Sequence, residues 1–314
     1  MEQLDTGRSG PAPDPQAAFF SPSLAGRTRA SDLELDGGTV AYWSYEPVDA
    51  TPATRTILVI HGFRGDHHGL LRVVDMLPEM RVIVPDLPGF GSSDAFVRGE
   101  HTVERYGEFI ADFMDALGLG PETVLLGHSF GSIIASHFTA DHPGAVTPLV
   151  LVNPIASPAL EGPKGLMTKL AVFYYQLSAK LPRRLGLALL RNRLIVRVMS
   201  ETMAKTRDKQ LRGFVHDQHD AYFSAFADRN SLLESFKASV SSHVAEAAPR
   251  LQLPVLLIAG EKDEIATLPA QHKLLEMLPD GRLVVIPGVG HLIHYETPEP
   301  AAAAIRTFLE EHPA

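Results

Sequence analysis

No cysteine occurs anywhere in the 314 residues. That absence excludes a disulfide framework, thiolate catalysis and any zinc site built on sulfur. Long apolar runs are missing as well, since none reaches the ~18 residues of a membrane span. A basic surplus is also lacking: 28 Lys and Arg stand against 37 Asp and Glu, for a formal net charge of -9. A general nucleic-acid binder needs a basic face, so nucleic acid is not an expected partner. The N-terminus lacks the pattern of a secretory signal, because Glu2 and Asp5 sit where positive charge belongs and no apolar stretch follows. A cytoplasmic location is the expectation. No His-x-x-x-His pair lies near suitably spaced acids, so neither a metal nor another cofactor is expected.

What is present suffices for a substantial core, with 45% of residues hydrophobic. Residues 1–30, rich in Pro, Gly, Ser and Ala, read as a mobile N-terminal arm that Phe19 and Phe20 can dock. Leu33-Glu34-Leu35 and Val40-Ala41-Tyr42-Trp43 flank Asp36-Gly37-Gly38, the pattern of a hairpin. Apolar runs at residues 57–60, 81–84, 146–152, 254–258 and 282–286 read as strands covered on both faces. Helical patterns at residues 67–77, 102–117, 268–278 and 298–311 alternate with them. Such alternation predicts an α/β fold: a mostly parallel sheet with helices on both faces.

Between residues 155 and 250 the strand signal disappears, and helix-period patterns such as Leu170, Phe173, Tyr174 and Leu177 replace it. This predicts an inserted helical cap, with a core built from residues 31–154 and 251–314. The cap also carries a charge anomaly. From Lys164 to Arg212 there are twelve Lys or Arg against two acids, Glu201 and Asp208. One reading is a solvated helix face with snorkelling stems. The other is peripheral contact with an anionic lipid surface, an acidic partner or an anionic substrate group.

Val124-Leu125-Leu126-Gly127-His128-Ser129-Phe130-Gly131-Ser132 places Gly-x-Ser-x-Gly between a short apolar run and an amphipathic one. That is the strand, sharp turn and helix of a nucleophile elbow. A serine on so tight a turn needs small neighbours where a Cβ would clash. Ser129 is the candidate nucleophile, and it needs a base within reach and a third group to orient that base.

On these motifs and their order, residues 31–312 resemble the α/β-hydrolase superfamily. The resemblance implies the chain order Ser, acid, His. Gly260-Glu261-Lys262-Asp263 follows a strand and is similar to the family's Gly-x-x-Asp, which makes Asp263 the orienting acid. Gly288-Val289-Gly290-His291 follows the last strand and is similar to the family's histidine loop, which makes His291 the general base and acid. Glu261, Glu264 and His294 are the rivals. His128, inside the elbow, is expected to pack beside the nucleophile. The resemblance also assigns an oxyanion hole to the backbone N–H groups of Phe63 and Phe130, with His61 bracing the first loop. Residues 86–94 are similar to the family's Asp-x-Pro-Gly-x-Gly-x-Ser loop, an architectural element.

Arg64 is expected either to pair with an acid such as Asp94 or to hold a substrate carboxylate. Phe173, Tyr174 and Tyr222, with His128, are candidates for lining an apolar pocket under the cap. The resemblance then implies a serine hydrolase acting on a small hydrophobic carboxylester or lactone through an acyl-enzyme. Carbon–carbon bond hydrolysis of the meta-cleavage type, cofactor-free peroxidase activity and a ligand-binding receptor on a hydrolase scaffold are the alternatives. Aspartate-dependent dehalogenation and epoxide hydrolysis do not fit, because the elbow carries Ser129.

Overall fold

The computed structural model describes residues 17–51, 54–158 and 165–313. One eight-stranded sheet forms its centre: β1 (Thr28–Leu35), β2 (Gly38–Tyr45), β3 (Thr56–Ile60), β4 (Arg81–Pro85), β5 (Val124–His128), β6 (Leu149–Val152), β7 (Val255–Gly260) and β8 (Gly281–Ile286). The spatial order is β1-β2-β4-β3-β5-β6-β7-β8. β1 and β2 make the expected hairpin, and Asp36 and Gly37 both take positive φ, 49° and 80°, as a tight two-residue turn demands. β2 also runs antiparallel to β4, whereas β3 to β8 are mutually parallel.

The helices are α1 (Ser23–Arg27), α2 (Leu71–Asp75), α3 (Val103–Leu117), α4 (Phe130–Asp141), α5 (Gly165–Lys180), α6 (Arg183–Leu190), α7 (Arg193–Met203), α8 (Lys209–Tyr222), α9 (Arg229–Ser241), α10 (Leu268–Met277), α11 (Ile293–Glu296) and α12 (Pro298–Glu311). Alternation along each parallel strand explains the continuous apolar runs. Ile57, Val59, Val124, Leu126, Val150 and Val152 pack on one face with residues of α1, α2, α11 and α12. Leu58, Ile60, Leu125, Leu149 and Leu151 pack on the other with residues of α3, α4 and α10. The architecture is the α/β-hydrolase fold, with a helical insert between β6 and β7. No helix among the described residues is long and apolar enough to cross a membrane.

One local feature differs from the sequence reading. β1 begins at Thr28, five residues before the hairpin pattern becomes visible, because it is an edge strand whose exposed face carries Arg29 and other polar groups. Of the expected arm, residues 1–16 lie outside the described residues, while residues 17–27 are docked. Phe19 stacks on Phe214 at 4.4 Å, and buried Arg27 donates to the carbonyl of Val74 at 2.6 Å.

Candidate active site

Ser129 sits between β5 and α4 with φ 53° and ψ -117°, a strained conformation for a residue with a side chain. Its neighbours are glycines because the turn is pressed against the end of β3. A Cβ on Gly131 would lie 2.1 Å from the carbonyl oxygen of Ile60, and one on Gly127 would lie 2.4 Å from that of Gly131. Ser129 is half-buried, so its hydroxyl remains reachable.

Every other element of the candidate site lies at the carboxyl end of a parallel strand, where open α/β sheets bind ligands. The loop after β7 carries Asp263 and the loop after β8 carries His291. Nε2 of His291 lies 2.8 Å from Oγ of Ser129, and its Nδ1 lies 2.7 Å from Oδ2 of Asp263. A carboxylate can only accept, so Nδ1 carries the proton and Nε2 presents its lone pair to the serine hydroxyl. Glu264 instead pairs with Lys205 at 3.0 Å, and Glu261 accepts the N–H of Gly288 at 2.7 Å.

Asp263 is held as an anion. Burial by itself would raise its carboxyl, but His291 and the N–H groups of Ala266 and Ile265, at 2.9 and 2.8 Å, outweigh that and hold it below the usual range. Asn153, at the end of β6, adds a donor that the sequence reading does not contain. Its Nδ2 reaches Oδ2 of Asp263 at 2.8 Å and the carbonyl of Gly290 at 3.3 Å. The residue is fully buried at φ 47°, and its own N–H is tied to Ile258 at 2.8 Å. One signal was available: a polar residue directly after an all-apolar strand.

His128 is buried, with its ring 5.6 Å from that of His291 and 4.1 Å from that of His294. Burial, reinforced by the neighbouring His291, pushes its pKa down to about 3. His294 is driven well below its ordinary value, by burial first and then by the adjacent imidazoles. Both rings are therefore neutral packing partners at neutral pH.

The loop after β3 is a β-turn closed by the N–H of Gly65 donating to Gly62 at 3.0 Å, with Arg64 at φ 61°. His61 braces it: Nδ1 donates to the Gly62 carbonyl at 2.9 Å, and Nε2 accepts the N–H of Leu87 at 2.9 Å. This turn carries Phe63, while Phe130 opens α4, where backbone N–H groups have no helical partner and the dipole is positive.

Arg64 does not pair with Asp94, which accepts instead from the N–H of Thr39 at 3.0 Å. Its guanidinium is buried and donates to Phe223 O at 2.9 Å, Leu190 O at 2.8 Å and the Tyr175 hydroxyl at 3.3 Å. These partners belong to the helical insert, so Arg64 pins the insert onto the turn. Phe173 is 61% exposed on α5. Tyr174 donates to Leu189 O at 3.0 Å, bracing α5 on α6, and Tyr222 stacks on His68 with ring centres 3.7 Å apart. The rings around Phe63 are instead Phe90, Phe130, Tyr175 and Phe236, at centroid distances of 5.8 to 6.5 Å. A signal for Phe236 is present in the sequence, since it follows Leu232 and Leu233 by four and three residues and precedes Val240 by four on α9.

Asp66, His67 and His68 bring three potential ligand atoms within 4.8 Å of one another. Nδ1 of His67 is committed to Asp86 at 2.9 Å, and Nδ1 of His68 lies 3.2 Å from Asp66. Elsewhere in the insert Ser200 bonds both His216, at 2.6 Å, and His219, at 2.7 Å. That serine is fully buried and ties α7 to α8.

Comparison with known proteins bears on the fold and the family. The family model described as alpha/beta hydrolase fold matches residues 55–298. Lipase 3 of Moraxella sp. (strain TA144) is 25% identical across 93% of this chain and 96% of its own length. Lipase 1 of Psychrobacter immobilis is also 25% identical, across 94% and 96%. An esterase structure from Exiguobacterium antarcticum superposes with a TM-score of 0.72 at 19% identity, covering 90% of this chain and all of the other, a likeness of fold.

Proposed function

The chain belongs to the α/β hydrolase fold family, and on that premise we propose that it is a serine hydrolase cleaving a carboxylester or lactone of a hydrophobic small molecule. The observation that carries the reading is the continuous hydrogen-bonded line from Ser129 Oγ through His291 to Asp263. In the proposed cycle His291 Nε2 takes the Ser129 proton as Oγ attacks the carbonyl carbon. The N–H groups of Phe63 and Phe130 stabilise the oxyanion. His291 then protonates the departing alcohol or lactone oxygen, and water, activated by the same imidazole, releases the acid and restores Ser129. Asp263, kept anionic, holds the imidazole in the required tautomer and stabilises the imidazolium that forms.

The names of two of the relatives, Lipase 3 and Lipase 1, support ester cleavage over carbon–carbon bond hydrolysis. The aromatic surround of Phe63 supports an apolar acyl group, and we assign substrate choice to the cap over residues 155–250. Turnover of p-nitrophenyl esters, lactones, thioesters and a ring-fission diketone, measured side by side, tests this. Preference for esters or lactones, lost in Ser129→Ala, is the expected result; turnover of the diketone alone would replace the reading.

A further inference from the structure

Ten large apolar side chains stand exposed among the described residues, and six of them lie on three consecutive helices of the cap: Leu170, Phe173, Leu177, Leu185, Leu194 and Val198. On α5 the spacings of three and four put Leu170, Phe173 and Leu177 on one face, opposite buried Tyr175 and Ser178. Lys169 and Lys180, four before and seven after Phe173, share that outward face. α6 is locked beside α5 at Gly186, where a Cβ would lie 2.3 Å from the carbonyl oxygen of Ser178. This close approach fixes the two helices as one hairpin. α6 contributes exposed Arg183, Arg184 and Leu185 to its outer side.

The charge is one-sided. Residues 165–200 hold seven Lys or Arg and no Asp or Glu. Lys169, Lys180, Arg183, Arg184 and Arg193 have no acidic partner within 4.0 Å among the described residues. A helix face meant only for water carries polar groups outward and apolar ones inward. Here the outward faces combine bulky apolar groups with unneutralised cations.

We propose that this face of the cap docks on an anionic lipid bilayer. Leucine and phenylalanine side chains enter the acyl boundary, while the surrounding lysines and arginines sit at the level of the lipid phosphates. The arrangement acts independently of Ser129.

Sedimentation of the full chain with vesicles tests the proposal. Vesicles of phosphatidylcholine alone are compared with vesicles also containing phosphatidylglycerol. The wild type is expected to partition at least about ten-fold more strongly onto the anionic vesicles, and most of that difference is expected to vanish near 1 M salt, where the Debye length is about 3 Å. Arg183→Glu with Arg184→Glu should remove the preference, and Leu185→Ser with Leu194→Ser should lower binding to both vesicle types. Both variants should retain wild-type hydrolysis of a soluble ester. Equal partitioning onto the two vesicle types, or none, overturns the proposal. So does a concentration-dependent dimer that the charge reversal abolishes without any vesicle binding, which assigns the face to a second copy of the chain.

Discussion

Asn153 donates its side-chain N–H to the same Asp263 oxygen that receives the Nδ1–H of His291, at 2.8 and 2.7 Å. The carboxylate is thereby fixed by one side chain from β6 and two backbone N–H groups of its own loop, before the histidine is counted. Removing the Asn153 donor leaves the charge in place but loosens its aim. Losing a hydrogen bond to a charged group is worth about 1.5–3 kcal/mol, so Asn153→Ala should lower kcat by about 10- to 100-fold with KM little changed. Asn153→Asp, which sets a second carboxyl beside the first, should raise the apparent pKa of the acid limb of the pH–rate profile. Steady-state kinetics across pH reads both effects.

Asp263→Asn keeps the shape of the site and removes the acceptor for Nδ1–H. The imidazole then settles in the wrong tautomer, and kcat should fall by about 10³- to 10⁴-fold. Glu264→Gln, which alters a carboxylate paired with Lys205, should stay within a factor of about two. Comparing the two variants on one ester separates the acid from its neighbour.

Arg64 joins the turn that carries Phe63 to three groups of the cap. Arg64→Met strands the carbonyls of Phe223 and Leu190 without a donor and should cost about 2–4 kcal/mol. Arg64→Lys cannot reproduce the fork and should recover little of it. The loss should show in limited proteolysis as faster cleavage within the cap, and in urea unfolding as a lower midpoint.

Stability should begin to fall with acid while the pH is still above the usual carboxylate range. His128 and His219 are pushed down to about 3 from 6.5, both mainly by burial, and His294 is lowered by burial as well. A histidine whose folded pKa is depressed takes up its proton more readily in the unfolded chain. Between about 6.5 and about 3 the unfolded state therefore binds more protons, and stability declines as pH falls through that window. Each such proton contributes a slope of up to about 1.4 kcal/mol per pH unit. Asp263, also depressed, adds a further loss only below its unfolded value of 3.8. Urea unfolding at pH 7, 6 and 5 should show the decline, and His219→Gln should flatten it.

The sheet and the elbow were legible because continuous apolar strands and a Gly-x-Ser-x-Gly turn have few other physical explanations. Ser129, Asp263 and His291 could be picked out because each follows a strand and keeps a fixed order. Asn153 was legible only as a polar residue after an apolar strand, since its part depends on β6 lying beside β7 and on a positive φ that no spacing reveals. Arg64 was seen but misread: a sequence shows a cation near a catalytic loop, not the backbone carbonyls of residues 126 and 159 positions away that satisfy it. Phe173 has the spacing of a core ring, yet the face of α5 that carries it points outward.

Acylation of Ser129 is the step on which the proposed cycle rests. Wild type and Ser129→Ala are treated with a fluorophosphonate and, separately, with a slowly deacylating p-nitrophenyl ester, then digested and examined by mass spectrometry. An adduct is expected on the peptide containing Ser129 in both reactions of the wild type, and none in the alanine variant. An adduct that persists in Ser129→Ala, or ester turnover undiminished in that variant, would contradict acylation of Ser129.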